Sequence, residues 1–425
     1  MARILLSAYA CEPDRGSEPA VGWNWAVELA RLGHQVWVLT RADNRAAIER
    51  QARTNLNFVY YDLPRWMQLW RGYFAGKRLY YVLWQWGAAR LIRKRFPDLP
   101  FDVVHHVTYV SIRYPNFLGS LGIPFYFGPV SGGERIPSHL REGLSLRERW
   151  CVRLRDLSNR LVALDPLLRN VFRRAEKIVV TPDTLSLVPR RWRHKCDVKL
   201  AIGLSGEYLG QPTVRVRRTG QAFRLLFVGR LLESKGVDIA LHAVRQLLDW
   251  RIDVRFTIVG DGPARAQLTK LAETLKISNF VAWAGQIPPR AVEDYYRDAD
   301  VLVFPSLCES GGMAVLEAMA HGLPVVCSEL GGPGAIVNWR CGRMLPALEA
   351  SREELAAGFA CAVSEILNTP GLWGLLSGGA KARAQELDFQ NLVSSVYPPS
   401  LRPAIHQEHE YTLQLSELVS RDATC

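Results

Sequence analysis

Twelve short apolar runs, each closed by a glycine, a proline or a polar turn, constrain this 425-residue chain more than any other feature. The first seven are Arg3 to Ala8, Gln35 to Thr40, Asn57 to Asp62, Val103 to His106, Pro124 to Phe127, Lys177 to Val180 and Val198 to Ile202. After a break come Arg224 to Val228, Val254 to Val259, Val281 to Ala284, Val301 to Phe304 and Leu323 to Cys327. Helical patterns separate them. Near-continuous apolar strands alternating with helices predict parallel sheets covered on both faces. The break, Gly203 to Phe223, is polar and aperiodic and reads as an interdomain linker. The expected organisation is therefore two doubly wound α/β domains, 1–203 and 224–385, joined by 204–223, with a C-terminal segment 386–425. In such sheets ligands sit beyond the carboxyl ends of the strands, so both domains should present loops to one central cleft.

Composition agrees. Hydrophobic content of 48% and charged content of 22% describe an ordinary globule with residues enough for two cores. No apolar run reaches the ~18 residues that span a bilayer. The N-terminus resembles a lipoprotein signal only superficially, because Glu12-Pro-Asp-Arg15 follows a very short apolar core; a first strand and a cytoplasmic protein are expected. The eight cysteines are scattered, without a Cys-x-x-Cys or a Cys/His cluster, so reduced, mostly buried thiols are expected, with no disulfide framework and no metal site.

Charge is uneven. Residues 1–200 carry 32 Lys and Arg against 17 Asp and Glu, whereas the remainder carries 21 against 24. From Arg65 to Arg95 there are eight basic residues, no acidic ones and eight aromatics: Trp66, Trp70, Tyr73, Phe74, Tyr80, Tyr81, Trp84 and Trp86. A second basic stretch runs from Arg135 to Lys177. Two readings of the first window stay open. It suits an anionic membrane interface, where rings lie at headgroup level, and it equally suits aromatics in a core beneath a solvated arginine face. No motif supports nucleic acid as a partner.

The most informative local element is Glu309-Ser-Gly-Gly-Met-Ala-Val-Leu-Glu317, entered from the strand Val301–Phe304 and left through Gly322. It reads as loop then helix, with Glu309 on the loop and Glu317 about two turns in. The amides of Gly311, Gly312, Met313 and Ala314 should be free at the helix start, beside Ser310. Free amides at a positive dipole end hold anions, and glycines let a phosphate approach closely. Carboxylates bind phosphate poorly but accept well from sugar hydroxyls. A phosphate between two hydroxyl-bearing groups describes a nucleotide sugar. Taken alone, the two glutamates read more readily as a loop charge and a solvated helix residue.

The surrounding residues resemble the retaining glycosyltransferases of family four, the two-Rossmann-domain, glycosyltransferase-B type. The family's Glu-x7-Glu element is followed by Glu-Ala-Met-Ala-x-Gly-x-Pro-Val, matched from Glu317 to Val325, and the match extends through Gly331-Gly332. Gly229-Arg-Leu-Leu-Glu-Ser-Lys-Gly236 matches its pyrophosphate element, implying roles for Gly229, Arg230 and Lys235 on a diphosphate, Arg by a bidentate fork and Lys as a point charge. Gly260 of Val259-Gly-Asp-Gly-Pro263 also matches, and Gln286 and Ile287 stand where the family's backbone meets the base. The resemblance implies no bound metal and no cofactor beyond the nucleotide-diphosphate co-substrate.

In the first domain, Gly16-Ser-Glu-Pro resembles the acceptor-side loop of exopolysaccharide members, which implies acceptor or phosphate contacts for Gly16, Ser17 and Glu18. Asp102-Val-Val-His-His-Val-Thr-Tyr109 and Gly128-Pro-Val-Ser-Gly-Gly-Glu134 resemble family elements too. His105 and His106 are expected to end a strand facing the cleft, each as a satisfied histidine or as a substrate contact. Many relatives carry a donor-sugar histidine where this chain has Gly128; that contact would be missing, or fall to His106 or to the Ser131-Gly-Gly133 loop. Leu387 to Tyr397 reads as the family's terminal helix crossing back to the first domain, stopped by Pro398-Pro399.

The resemblance thus implies sugar transfer to a hydroxyl acceptor, a lipid-linked or growing cell-surface polysaccharide, with Glu309 and His106 as the catalytic candidates and Glu317 on the ribose. The rivals are a nucleotide-sugar epimerase of the same architecture and a non-catalytic sugar- or lipid-binding protein.

Overall fold

The computed structural model describes residues 1–401 except 14, 17, 52–54, 70–73, 205–219 and 398–400, and only the backbone of residues 74, 75 and 289. Ser17, Trp70 and Tyr73, the side chain of Phe74, most of the expected linker and nearly all of the tail after Tyr397 lie outside the described side chains.

Two all-parallel sheets carry the fold. The first holds β1 (Arg3–Ala8), β2 (Gln35–Thr40), β3 (Leu56–Tyr60), β4 (Val103–Thr108), β5 (Phe125–Val130), β6 (Lys177–Val180) and β7 (Cys196–Val198). Its order is β3-β2-β1-β4-β5-β6-β7. The second holds β8 (Phe223–Val228), β9 (Val254–Val259), β10 (Val281–Gly285), β11 (Val301–Phe304), β12 (Val325–Ser328) and β13 (Gly342–Leu345), in the order β10-β9-β8-β11-β12-β13. Strands such as β4, β5, β11 and β12 are buried at every position, as sheets covered on both faces require. The doubly wound α/β architecture expected from the apolar runs is therefore present.

Several boundaries differ from expectation, among them β5, which runs on to Val130 rather than ending at Phe127, and β12, which begins at Val325 rather than Leu323. The run Val198 to Ile202 is not a strand: the edge strand β7 occupies Cys196–Val198, paired with β6, before the more apolar residues. The strand β13, with Arg343 at its second position, was not anticipated; a four-residue edge strand gives little periodicity. The strand β4 continues past its histidines to Thr108.

Both sheets reverse order at their first strand, between β1 and β4 and between β8 and β11. These are the switch points where loops diverge and leave a crevice. The helix Phe389–Val396, capped by Asp388 through Asn391 N, returns to the first sheet. There Phe389 meets Trp25 edge-on at 5.8 Å, and the Tyr397 hydroxyl lies 2.7 Å from His105 Nδ1.

Among the described residues no single helix is long and apolar enough to cross a membrane. No described cysteine is in a disulfide; Cys11, Cys327 and Cys341 are buried, whereas Cys151 and Cys361 are exposed rather than interior as expected.

Candidate functional site

The second sheet's switch point assembles most of the predicted donor residues. The loop after β8 carries Arg230 and Lys235, and the loop after β11 carries Glu309 to Gly312. Tight backbone contacts hold the two together. Leu307 N donates to Ser234 O at 2.9 Å, and Gly236, at φ +66°, lies so close to Pro305 that a Cβ would meet its carbonyl oxygen at 2.2 Å. Lys235 Nζ then pairs with Glu309 Oε2. Arg230 is exposed at the rim, and among the described residues no carboxylate pairs with it.

Glu309 lies on the loop, as expected, but its carboxylate is engaged. Its Oε1 accepts from Gly311 N at 3.2 Å and Gly312 N at 3.3 Å, so its carboxylate already occupies amides expected to be free. Gly312, at φ +85°, is the N-cap of the helix Met313–Ala320, which therefore starts late and puts Glu317 one turn in rather than two. Four predicted residues, Lys235, Glu309, Gly311 and Gly312, thus form one cation–carboxylate–amide cluster. Ser310 lies within it, and Met313 and Ala314 open the helix.

The glycines Gly331 and Gly332 explain the shape of this loop. Gly332 N donates to Glu309 O at 2.8 Å, and a Cβ on Gly331 or Gly332 would meet the Glu309 or Gly311 carbonyl oxygen at 2.1 or 2.3 Å. A second glycine row, Gly229, Gly260 and Gly285, crosses β8, β9 and β10 at their carboxyl ends. Gly260 N donates to Gly285 O at 2.7 Å, and a Cβ on Gly260 would meet Gly229 O at 2.0 Å. Only glycines allow these backbones to pack so closely. Gln286 is exposed just beyond, and Ile287 is half-buried against the core.

Glu317 sits apart from Glu309's cluster. It is half-buried and accepts a 2.9 Å hydrogen bond from the Tyr296 hydroxyl. Burial pushes its carboxyl up to about 7, against the opposing pull of that hydroxyl. Tyr296 lies on the preceding helix, Pro289–Asp298, far from any recognisable motif.

The first sheet's switch point is closed by Glu18, the first residue of the helix Glu18–Arg31. Its Oε1 accepts from Val110 N at 2.9 Å, and burial pushes its carboxyl up to about 7. It ties the loop after β1 to the loop after β4, where Ala10 N also donates to Thr108 Oγ1 at 3.1 Å. Gly16 is exposed, with open space where a side chain would begin.

The histidine expectation needs correction. His105 and His106 do not end β4 at the cleft; both are fully enclosed within it. His105 lies 2.6 Å from Gly128 O by Nε2 and binds Tyr397 by Nδ1. His106 lies 3.3 Å from both Ser7 Oγ and the Tyr81 hydroxyl and stacks on Phe127. Burial pushes both imidazoles down to about 3, so they are neutral around pH 7. Gly128, at φ +125°, leaves no room for a side chain: a Cβ would meet Val179 O at 2.0 Å. The Ser131 to Glu134 loop is likewise internally tied, with Ser131 Oγ donating to Val110 O at 2.6 Å and Gly133 N to Thr184 Oγ1 at 3.0 Å.

Sequence reasoning missed the bridges between the domains: Ser145 N donates to Glu233 Oε2 at 2.5 Å, the Arg352 guanidinium donates to Leu140 O at 2.8 Å, and a third lies beside the site. Arg155, on the helix Leu146–Leu161, reaches Cys308 Sγ at 2.8 Å, beside Glu309. No local pattern marks a contact over such sequence separation.

Comparison with known proteins fits this arrangement. The family described as glycosyltransferase family 4 matches residues 21–190, and that described as glycosyl transferases group 1 matches residues 215–359. D-inositol 3-phosphate glycosyltransferase of Acidothermus cellulolyticus is 31% identical over 255 residues, 56% of this chain and 53% of the relative. The putative colanic acid biosynthesis glycosyltransferase WcaL of Salmonella typhimurium is 32% identical over 170 residues, 38% of this chain and 41% of WcaL. The aligned part thus spans about half the length of these curated relatives or less. Among solved structures, sucrose-phosphate synthase of Thermosynechococcus elongatus has a TM-score of 0.62 at 18% identity, covering 98% of this chain and 100% of that one. HepE of Anabaena, solved with UDP, has a TM-score of 0.59 at 15% identity, covering 93% and 98%. These two likenesses concern the fold. With both halves of the chain matched by glycosyltransferase descriptions and two doubly wound sheets in place, the chain belongs to the family-four glycosyltransferases of two-Rossmann-domain architecture.

Proposed function

We propose that this protein transfers a sugar, with retention of configuration, from a nucleotide diphosphate to a hydroxyl acceptor. The observation that carries the reading is the convergence of Lys235 and the Gly311 and Gly312 amides on a single carboxylate at the second switch point. Groups that hold one internal anion in this way are placed to hold a diphosphate. When the glycosyl–phosphate bond loosens, negative charge grows on the leaving diphosphate, and preorganised donors stabilise it. Arg230 at the rim adds a guanidinium fork. A diphosphate on Lys235 and the amides would release Glu309 to accept from sugar hydroxyls, while Glu317, with Tyr296 beside it, would take the ribose. Residues 224–385 would form the donor domain and residues 1–203 the acceptor domain, with the Gly16–Glu18 loop at its mouth. The described residues include no group of three His, Cys, Asp or Glu side chains that could hold a metal; the cations and amides are the anion-holding groups in this reading.

WcaL is named for colanic acid biosynthesis, and HepE was solved with UDP. Extended to this chain, these names favour a uridine nucleotide and a cell-surface polysaccharide or lipid-linked acceptor, met at the cytoplasmic face of a membrane. The aromatic window Arg65 to Arg95 divides between the two readings it left open. Tyr80, Tyr81 and Trp84 are core, whereas Trp66 and Trp86 are exposed, with the Arg90 guanidinium 3.5 Å over the Trp86 ring. Incubation with a panel of nucleotide sugars, with and without lipid-linked acceptors, tests the proposal. Diphosphate release with glycosylated acceptor is expected. Epimerised donor without release, or binding without turnover, would overturn it.

A further inference from the structure

The helix Leu146–Leu161 is built inside out. Its apolar residues Leu146, Trp150, Leu154, Leu157 and Leu161 follow one another at intervals of four, four, three and four, which places them on one face. That spacing ordinarily marks the face turned to a core. Here the face is open: Leu146 is 75% exposed and Leu161, the least exposed, 50%. The row continues beyond the helix through Leu164 at 69%. The opposite face does the packing. Val152 and Asn159 are buried, Asp156 pairs with Arg141 at 2.7 Å, and Arg155 reaches across to Cys308.

The charges beside this ridge have one sign. From residue 146 to residue 174 the exposed charged side chains are Arg147, Arg153, Arg160, Arg169, Arg173 and Arg174. The three carboxylates in the interval are only half-exposed; Asp156 is paired and Asp165 caps the next helix through Leu167 N and Leu168 N. Beside the ridge lies a groove of about 280 Å³ whose lining includes Leu154, Leu157, Leu161 and Leu168 together with Arg78 and Arg113. Hydrocarbon and guanidinium meet there.

We propose that this ridge docks the protein on an anionic phospholipid bilayer, with the leucines and Trp150 entering the interface and the arginines meeting lipid phosphates. An amphipathic helix lying in an interface has this layout of apolar ridge and basic flanks. Charge complementarity decides against a second copy of the chain. A twofold contact through the ridge would set each arginine row against its equivalent, cation on cation. A bilayer offers phosphates instead. The helix contacts the Glu309 loop region by its packed face and the lipid by its open one, so docking would bring the cleft to the membrane surface. The inference does not need the transferase reading, because a protein without turnover would still bind vesicles.

Flotation of the full chain with phosphatidylglycerol–phosphatidylcholine vesicles is the experiment, beside pure phosphatidylcholine vesicles. Binding to the anionic vesicles at low salt is expected, weakened by added salt because surface charges are screened over ~8 Å at physiological ionic strength. The triple variant L154S/L157S/L161S should bind at least ~tenfold more weakly, since it withdraws three large apolar side chains from the interface. Its nucleotide binding and thermal midpoint should match the parent, because these side chains are exposed. No flotation of the parent, or flotation unchanged in the triple variant, would overturn the proposal. So would loss of binding only when Arg93, Lys94 and Arg95 are neutralised. A parent that sediments as a dimer while the triple variant sediments as a monomer would give the ridge to a second copy.

Discussion

Lys235 and Glu309 form an ion pair between the loops after β8 and β11, across the point where the second sheet reverses its strand order. The pair means that the cation assigned to the diphosphate is already committed to a carboxylate that also draws in two loop amides. In the proposed reading, binding of a donor would exchange one anion for another. Lys235→Ala removes the cation but also frees Glu309, whereas Arg230→Ala removes a guanidinium that no described carboxylate offsets. Loss of a charge-assisted contact costs ~1.5–3 kcal/mol, so both variants should bind nucleoside diphosphate at least ~tenfold more weakly, Arg230→Ala more so. Titration calorimetry reads this directly. Unchanged affinity in both would remove the phosphate role.

The two glutamates should separate kinetically. Glu309 sits in the cation–amide cluster and Glu317 at Tyr296; in the proposed reading the first would hold the sugar, with contacts that tighten as it distorts, and the second the ribose, with contacts equal in ground and transition states. Glu309→Ala should mainly lower kcat, and Glu317→Ala should mainly raise the donor KM. Initial-rate kinetics over a range of donor concentrations checks it, and the reverse pattern would swap the roles.

The fold was largely legible because its central strands are continuous apolar runs bounded by turn residues; β1, β2, β6, β9 and β11 begin and end where the pattern predicts. The short edge strands β7 and β13 were not, being three and four residues long with few buried positions, whereas the longer edge strands β3 and β10 were located. In the site, Arg230, Lys235 and the glycines stand out through local spacing. The enclosure of His105 and His106 does not, because it depends on β4 running on and on Tyr81 and Tyr397 arriving from distant elements. The helix at Leu146 inverts the usual rule: its apolar spacing says core, and only the packed structure reveals that the polar face faces inward.

Gly331→Ala should disable the Glu309 loop without touching any proposed ligand group. Gly331 is at φ +65°, and the added Cβ would meet Glu309 O at 2.1 Å. The loop has to shift, and misplacing preorganised groups by about 1 Å costs ~100-fold in rate. Turnover should fall by about that factor. Gly374→Ala, in a helix with open space around its Cα, serves as the control. Equal rates in the two variants would show that loop position is irrelevant to catalysis.

His105 and Tyr397 should be coupled in stability. Their hydrogen bond, 2.7 Å long and buried, joins β4 to the residue that ends the last helix. Residues in direct contact give interaction energies of ~0.5–3 kcal/mol in double-mutant cycles. His105→Ala and Tyr397→Phe should each lower the denaturant midpoint, and the double variant should lose less than the sum. Strict additivity in urea unfolding would mean the helix is held by Phe389 and its neighbours alone.

Stability should carry the signature of Glu317. Its carboxyl is pushed up to about 7 from an ordinary value of 4.5, chiefly by burial. The folded protein thus holds this proton more tightly than the unfolded chain does. The stabilising contribution is complete below about 4.5 and is lost as pH rises through about 7. Glu317→Gln, which cannot ionise, should not lose it. The variant's melting temperature relative to the parent should therefore climb between pH 5 and pH 8, by a few degrees for ~1–2 kcal/mol in a chain this size. Differential scanning fluorimetry across that range is the measurement. A difference that stays flat with pH would mean that Glu317 is ionised throughout and that the Tyr296 hydroxyl outweighs burial.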